Sequence, residues 1–224
     1  MHSHLVVTPD NQLQETQPFW LRWLATIFSY VFHPVFVPVY VMCFLLFVSP
    51  FLFVGFPAKA KVMLLAHAFL MYTFFPLITV ALLKALGFIS SIRLNTQKDR
   101  IIPFIASGIW YFWVWYVWRN MPGYPSEIVV FAMSVFVAAS IGLIANIYMK
   151  ISMHAIAVST ATAFMCFLGF RYGWFLSSYI MIALIVSGCV CSARLILGDH
   201  DSREIYWGVF TGVVSVLMAQ AVFG

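Results

Sequence analysis

Glu127-Ile-Val-Val-Phe-Ala-Met-Ser-Val-Phe-Val-Ala-Ala-Ser-Ile-Gly-Leu-Ile-Ala-Asn-Ile-Tyr-Met149 carries a single charge, at its first position. A bilayer span needs about 17–25 predominantly apolar residues, so this stretch reads as a transmembrane helix. The same test selects 35–54, 61–83, 101–118, 153–170, 174–197 and 205–223. Residues 18–33 are apolar but interrupted by Arg22; they read as an interfacial helix or as the start of a long first span. The expected fold is all-α: a polytopic transmembrane helix bundle of six to seven spans.

Composition agrees. Of the 224 residues, 63% are hydrophobic and 8% charged, against about 45–50% and about 25% in a soluble domain. The folding solvent is therefore mainly lipid, and the length suits one compact bundle. The net charge of +5 fits anionic lipid head groups, and no nucleic-acid partner is expected. Cys43, Cys166, Cys189 and Cys191 lie in apolar runs without a Cys-x-x-Cys pair and read as small core residues. Residues 1–17, with His2 and His4, read as a polar N-terminal tail, and 18–224 as a single domain. No basic segment followed by an apolar one marks a cleavable signal peptide.

The connections are short and rich in Pro and Gly, as at Met121-Pro-Gly-Tyr-Pro125. Trp110, Tyr111, Trp113, Trp115, Tyr116 and Trp118 crowd one span end and read as an aromatic belt at the lipid–water interface. His33-Pro34 and Pro38 mark a kinked entry to the first span. His67 and Asn146, inside spans, read as interhelical hydrogen-bonding groups.

Three polar clusters break the apolar pattern. The connector 84–100 (KALGFISSIRLNTQKDR) carries Lys84, Arg93, Lys98, Asp99 and Arg100. The second cluster is Lys150-Ile-Ser152-Met-His154, and the third is Arg194-Leu-Ile-Leu-Gly-Asp-His200-Asp-Ser-Arg-Glu204. Two spans separate each cluster from the next. An even number of crossings returns the chain to the same side, so all three are expected on one face of the membrane. An unpaired charge in lipid is costly, which makes ionisable groups retained beside spans functional candidates.

Their chemistry suits phosphoryl transfer. Arg93, Lys98, Arg100 and Arg194 supply cations for a phosphate, and the arginine fork donates in pairs to phosphate oxygens. Of two histidines on one face, one can attack phosphorus and the other protonate the leaving oxygen. Glu204 follows His200 by four residues, a helical-neighbour spacing, and a carboxylate there orients an imidazole. Asp199 and Asp201 flank His200 but lack companions at metal-ligand spacing, so no metal is expected.

At these residues the chain resembles the type 2 phosphatidic acid phosphatase superfamily, whose motifs are Lys-x6-Arg-Pro, Pro-Ser-Gly-His and Ser-Arg-x5-His-x3-Asp. Arg194-x5-His200-x3-Glu204 keeps the third spacing, with Gly208 where the family often has glycine; Ala193 and Glu204 stand for its Ser and Asp. Ile151-Ser152-Met153-His154 keeps the Ser and His of the second motif. Arg93-x6-Arg100 keeps two cations of the first, with Pro103 two residues late. The resemblance implies a membrane phosphatase that hydrolyses a lipid phosphate or diphosphate monoester without a metal or other cofactor. His200 is then the nucleophile and forms a phosphohistidine, Glu204 orients it, and His154 is the general acid. Arg93, Arg100, Arg194 and the Ser152 hydroxyl hold the phosphate, with Lys98 assisting. The family usually places its site on the extracytoplasmic side, here of a bacterial inner or plasma membrane. The N-terminus then lies on that side too.

Two other readings use the same residues. One is a non-catalytic lipid-binding or scaffold relative of the phosphatase fold. The other is a small anion transporter, which calls for charges spread through the membrane depth and for inverted repeats; the charges here gather at one face, without a repeat. The basic residues outside the proposed site divide four against four between the two faces, so the positive-inside rule sets no orientation. A lipid substrate is physically apt, because its tails stay in the bilayer while its head group reaches the basic cluster.

Overall fold

The computed structural model of the chain describes residues 5–7, 13–15, 17–49, 51–92, 94, 96–173 and 176–223. A small antiparallel hairpin, β1 (Leu5–Val7) with β2 (Leu13–Glu15), lies in the segment read as a polar tail; His2 and His4 are outside the described residues. Among the described residues the other regular elements are helices: α1 (Phe19–Val31), α2 (Val37–Cys43), α3 (Ala58–Phe69), α4 (Phe75–Ala85), α5 (Gln97–Arg119), α6 (Ser126–Tyr148), α7 (Met153–Tyr172), α8 (Ser177–Ile196) and α9 (Ser202–Phe223). A π-helical stretch, Leu70–Phe74, joins α3 to α4 as one rod, and another, Phe44–Val48, prolongs α2.

Six of these rods are long and apolar enough to cross a membrane: Ala58–Ala85 and the five helices α5 to α9. The chain is an all-α membrane bundle. The first expected span is shorter than its reading, since Val37–Val48 falls below spanning length. The chain breaks before it, at Phe32 to Phe36, where Pro34 has no N–H to continue α1.

Residues beside the helix starts do identifiable work. The Thr96 hydroxyl accepts from Asp99 N at 3.1 Å and caps α5. Ser152 caps α7, accepting from Ala155 N at 3.4 Å. Asp201 and Glu204 form a reciprocal capping box on α9. Glu204 N donates to Asp201 Oδ1 at 2.7 Å, and Asp201 N donates to Glu204 Oε2 at 3.4 Å.

The main core draws on α2, α3, α5, α6, α7 and α9; α6 and α7 are the most buried spans and α8 is the least. In lipid, helices associate by close backbone approach over small residues. Here α9 presents Gly208-Val-Phe-Thr-Gly212 to α7. A Cβ on Gly212 would lie 2.7 Å from Thr160 N and 2.8 Å from Ile156 O. One on Gly208 would lie 2.8 Å from Ala155 Cβ and 3.0 Å from Ser152 O.

The aromatic crowd at the end of α5 divides. Trp113 and Tyr116 point outward, as a belt requires, but Tyr111, Trp115 and Trp118 are buried in the core. Trp118 Nε1 donates to His67 Nδ1 at 3.0 Å, the interhelical bond expected of His67. Asn146 exchanges two bonds with Gln97, at 2.9 and 3.0 Å, and so ties α6 to α5. The cysteines are less buried than expected: none is in the fully buried class, and Cys189 is exposed on α8, where the surroundings are lipid and an apolar thiol is tolerated. Glu127, at the end remote from the polar clusters, is buried against Arg171 Nε at 3.3 Å and the Tyr172 hydroxyl at 2.5 Å.

Candidate active site

The three polar clusters meet, and main-chain carbonyls are what join them. Arg100, buried at the start of α5, donates from Nε to Leu94 O at 2.8 Å and from Nη1 to Ile151 O at 2.9 Å. The first of these bonds holds a non-glycine residue at positive φ, since Leu94 sits at φ 52°. Lys150 Nζ donates to Asp199 O at 3.0 Å, and Ser152 N donates to Glu204 O at 3.4 Å. Connector, α7 start and α9 start are thereby one hydrogen-bonded unit.

His200 lies in the turn between α8 and α9, which Gly198 opens at φ 72°. Its Nδ1 is 2.6 Å from Glu204 Oε2. A carboxylate only accepts, so Nδ1 carries the hydrogen and Nε2 keeps its lone pair. The contact is a charge-assisted hydrogen bond of a neutral ring and not an ion pair. Burial first, then the charges of Arg100, Arg194 and Lys150, push His200 down to about 3 from an ordinary 6.5.

Arg194, in the last turn of α8, donates from Nη2 to Asp199 Oδ2 at 2.8 Å and from Nη1 to Ser29 Oγ at 3.3 Å. His154 Nε2 is 3.1 Å from Ser29 O, so it donates there and leaves Nδ1 to exchange a proton. Ser29 of α1 thus holds both an expected phosphate ligand and an expected acid. His33, in the break between α1 and α2, stacks edge-on against His154 with ring centroids 5.3 Å apart. Burial, then Arg194, push it down to about 4. His33 Nδ1 and Arg194 Nε are buried polar atoms without a hydrogen-bond partner.

Arg100, Arg194, His33, His154 and His200 all line one cavity of about 240 Å³. Its remaining wall is mostly apolar and extends down the bundle to Tyr111 and Phe131. Met153, where the resemblance has glycine, is also on this wall.

Other expected site residues stand elsewhere. Ser152 is fully buried and its hydroxyl caps α7; it does not line the cavity. Lys98 is exposed on the outer side of the first turn of α5, because Asp99 and Arg100 take the inward positions. Arg93 lies outside the described residues. No group of three or more His, Cys, Asp or Glu among the described residues is placed to hold a metal. Two site residues were missed in the sequence, Ser29 and His33. His33 carried a signal: it is an ionisable residue in an apolar stretch of a charge-poor chain, and its Pro34 neighbour drew the reading toward a kink. No protein-family model, curated protein or solved structure matches this chain.

Proposed function

We propose that the chain is a membrane-embedded phosphatase acting on a lipid phosphate or diphosphate monoester through a phosphohistidine at His200. The supporting observation is the His200–Glu204 pair. A neutral imidazole with Nδ1–H fixed on a carboxylate and Nε2 unprotonated, in a cavity with Arg100 and Arg194, is an activated nucleophile beside two phosphate-binding cations. The motif spacing of the type 2 phosphatidic acid phosphatase superfamily points the same way, and it supports an extracytoplasmic position for the site.

In the first half-reaction His200 Nε2 attacks phosphorus, and the bond from phosphorus to the leaving oxygen breaks. That oxygen takes the Nδ1 proton of His154, which enters this step as an imidazolium with its Nε2–H kept on Ser29 O and leaves it neutral. Glu204 stabilises the positive ring that results. In the second half, water attacks the phosphohistidine, His154 takes the water's proton, and phosphate leaves with His200 restored. Arg100 and Arg194 hold the equatorial oxygens throughout, which is where charge gathers in such transfers.

The test is phosphate release from a panel of lipid phosphates by the purified protein, with chemical trapping of an acid-labile phosphoryl adduct. Release with an adduct on His200 is expected. Anion binding without release from any substrate overturns catalysis and favours the scaffold reading.

His33 and His200, both depressed, contribute a pH dependence. In the native state His33 and His200 bind protons only near pH 4 and 3, whereas in the unfolded chain they do so near 6.5. The unfolded state therefore binds more protons below about pH 6.5, and stability falls as pH falls through that value toward the native ones. A bound anion favours the charged rings and acts in the opposite direction. Sulfate keeps a constant charge between about pH 8 and pH 5, so it is expected to bind more tightly as pH falls in that range and to restore the thermal midpoint. A sulfate affinity that stays level with pH excludes proton uptake by these rings.

A further inference from the structure

The cavity continues well beyond the groups that a phosphate needs. On α5 its wall runs from Arg100 to Tyr111, eleven residues, or ~16 Å at the helical rise. That is close to half of the ~30 Å hydrocarbon thickness of a bilayer. Only the near end is charged. The far part, between α4, α5, α6 and α7, is lined by groups such as Leu77, Val135, Ala138 and Ala161, and reaches Tyr111 and Phe131. Both rings are braced from behind. Tyr111 packs on Tyr72 at 5.4 Å between centroids, and Phe131 on Phe164 at 4.9 Å. A cavity of about 240 Å³ that reaches over that depth admits a hydrocarbon chain.

The side wall faces the bilayer. Phe104 and Ala139 line this cavity and also an apolar groove on the outer surface of α5 and α6, beside Gly108 and Phe136. The wall there is one ring thick. That ring rests on Gly142, where a Cβ would meet Phe104 Cε1 at 3.1 Å. The cavity also reaches the outside beside α4, where its lining residues Leu77 and Ile92 are exposed, so a chain can come from the lipid on either side.

We propose that the site takes a single-chain amphiphile: its anionic head lies among Arg100, Arg194 and His200, and its one hydrocarbon chain runs inside the bundle to stop at Tyr111 and Phe131. This rests on the phosphate reading of the head site. It narrows the substrate class to phosphorylated lipids with one chain, and it takes that chain out of the bilayer. A two-chain phosphatidate would have to lodge its second chain in the same cavity or leave it in the bilayer.

The test is binding and needs no turnover. Alkyl phosphonates of increasing chain length are titrated into the protein in nanodiscs of fixed lipid, with methylphosphonate as the head alone. Wild type is compared with Val135→Trp, which fills the bore midway, and with the milder Ala138→Leu. Partition of the probe into the lipid is common to all and cancels in the ratio of wild type to variant. That ratio is expected to stay near one for methylphosphonate. For longer chains it should climb by up to about fourfold for each methylene that the plug displaces. Tyr111→Ala should move the longest well-bound chain upward. A ratio that stays level with chain length overturns the proposal, as does a two-chain phosphatidate that binds as tightly as its one-chain counterpart. Should Val135→Trp lose methylphosphonate as well, it has misfolded and Ala138→Leu decides. Wild type that binds no phosphonate of any length refutes the phosphate reading itself, which is a different outcome.

Discussion

His200→Ala is expected to cut phosphate release by about 10⁶-fold, to background, in the manner of losing the nucleophile of a coupled catalytic unit. The magnitude follows from what no neighbour can supply. The other imidazoles at the cavity are His154, whose Nε2 is held on Ser29 O, and His33, which has no carboxylate beside it to fix its tautomer. Neither combines a free ring nitrogen with a charge partner for the positive ring. Glu204→Gln is a graded control. The amide oxygen can still accept from His200 Nδ1, so the geometry survives and the charge goes; a loss of about 10²–10⁴-fold is expected. Phosphate release and sulfate affinity measured side by side separate the effects. Both variants should bind sulfate, because Arg100 and Arg194 are untouched. His200→Ala with more than about one per cent of wild-type release removes His200 from the nucleophile role.

Gly212→Leu is expected to disassemble the bundle. Its side chain would enter a space that already holds the backbone at Ile156 and Thr160, and backbone cannot step aside as a flexible side chain does. Overpacking of an adaptable core costs about 1–3 kcal/mol; here α7 and α9 must separate along their length, so more is lost. The readout is recovery of a monodisperse species in detergent and its thermal midpoint. Gly208→Ala is the informative milder change. Its methyl would press on Ala155 Cβ and Ser152 O, and relief needs only a small displacement of α9. That displacement carries Glu204 and His200 away from His154. A misplacement of about 1 Å can cost 10²-fold in rate, so Gly208→Ala should fold and lose most of its activity. A Gly212→Leu protein as stable as wild type would show that this contact does not hold the helices.

Much of the fold was legible because lipid imposes a coarse rule. A run such as 127–149 has few alternatives to a membrane helix, and counting crossings was enough to bring Arg100, His154 and His200 to one side. The parts that could not be read depend on direction around a helix. Lys98 and Arg100 are two residues apart and both basic, yet one faces outward and the other into the cavity. What distinguishes them is that Arg100 donates to Leu94 O and Ile151 O. Ser152 kept its place in the motif spacing, but its hydroxyl was needed at the start of α7. Trp113 and Trp115 differ in the same way, one toward lipid and one toward the core. Ser29 and His33 escaped because they lie more than 120 residues before His154, and spacing along the chain says nothing of contacts that only the folded α1 creates.

Arg100 has a consequence for the fold as well as for the cavity. Its guanidinium joins the connector after α4 to the start of α7, using donors that face Leu94 O and Ile151 O. A lysine keeps the charge but has no planar fork with which to reach two carbonyls in fixed directions. The cation that lines the cavity is thus also a clasp between connector and α7. Loss of Arg100 is therefore expected to loosen the junction of connector and α7 as well as to remove a charge from the cavity.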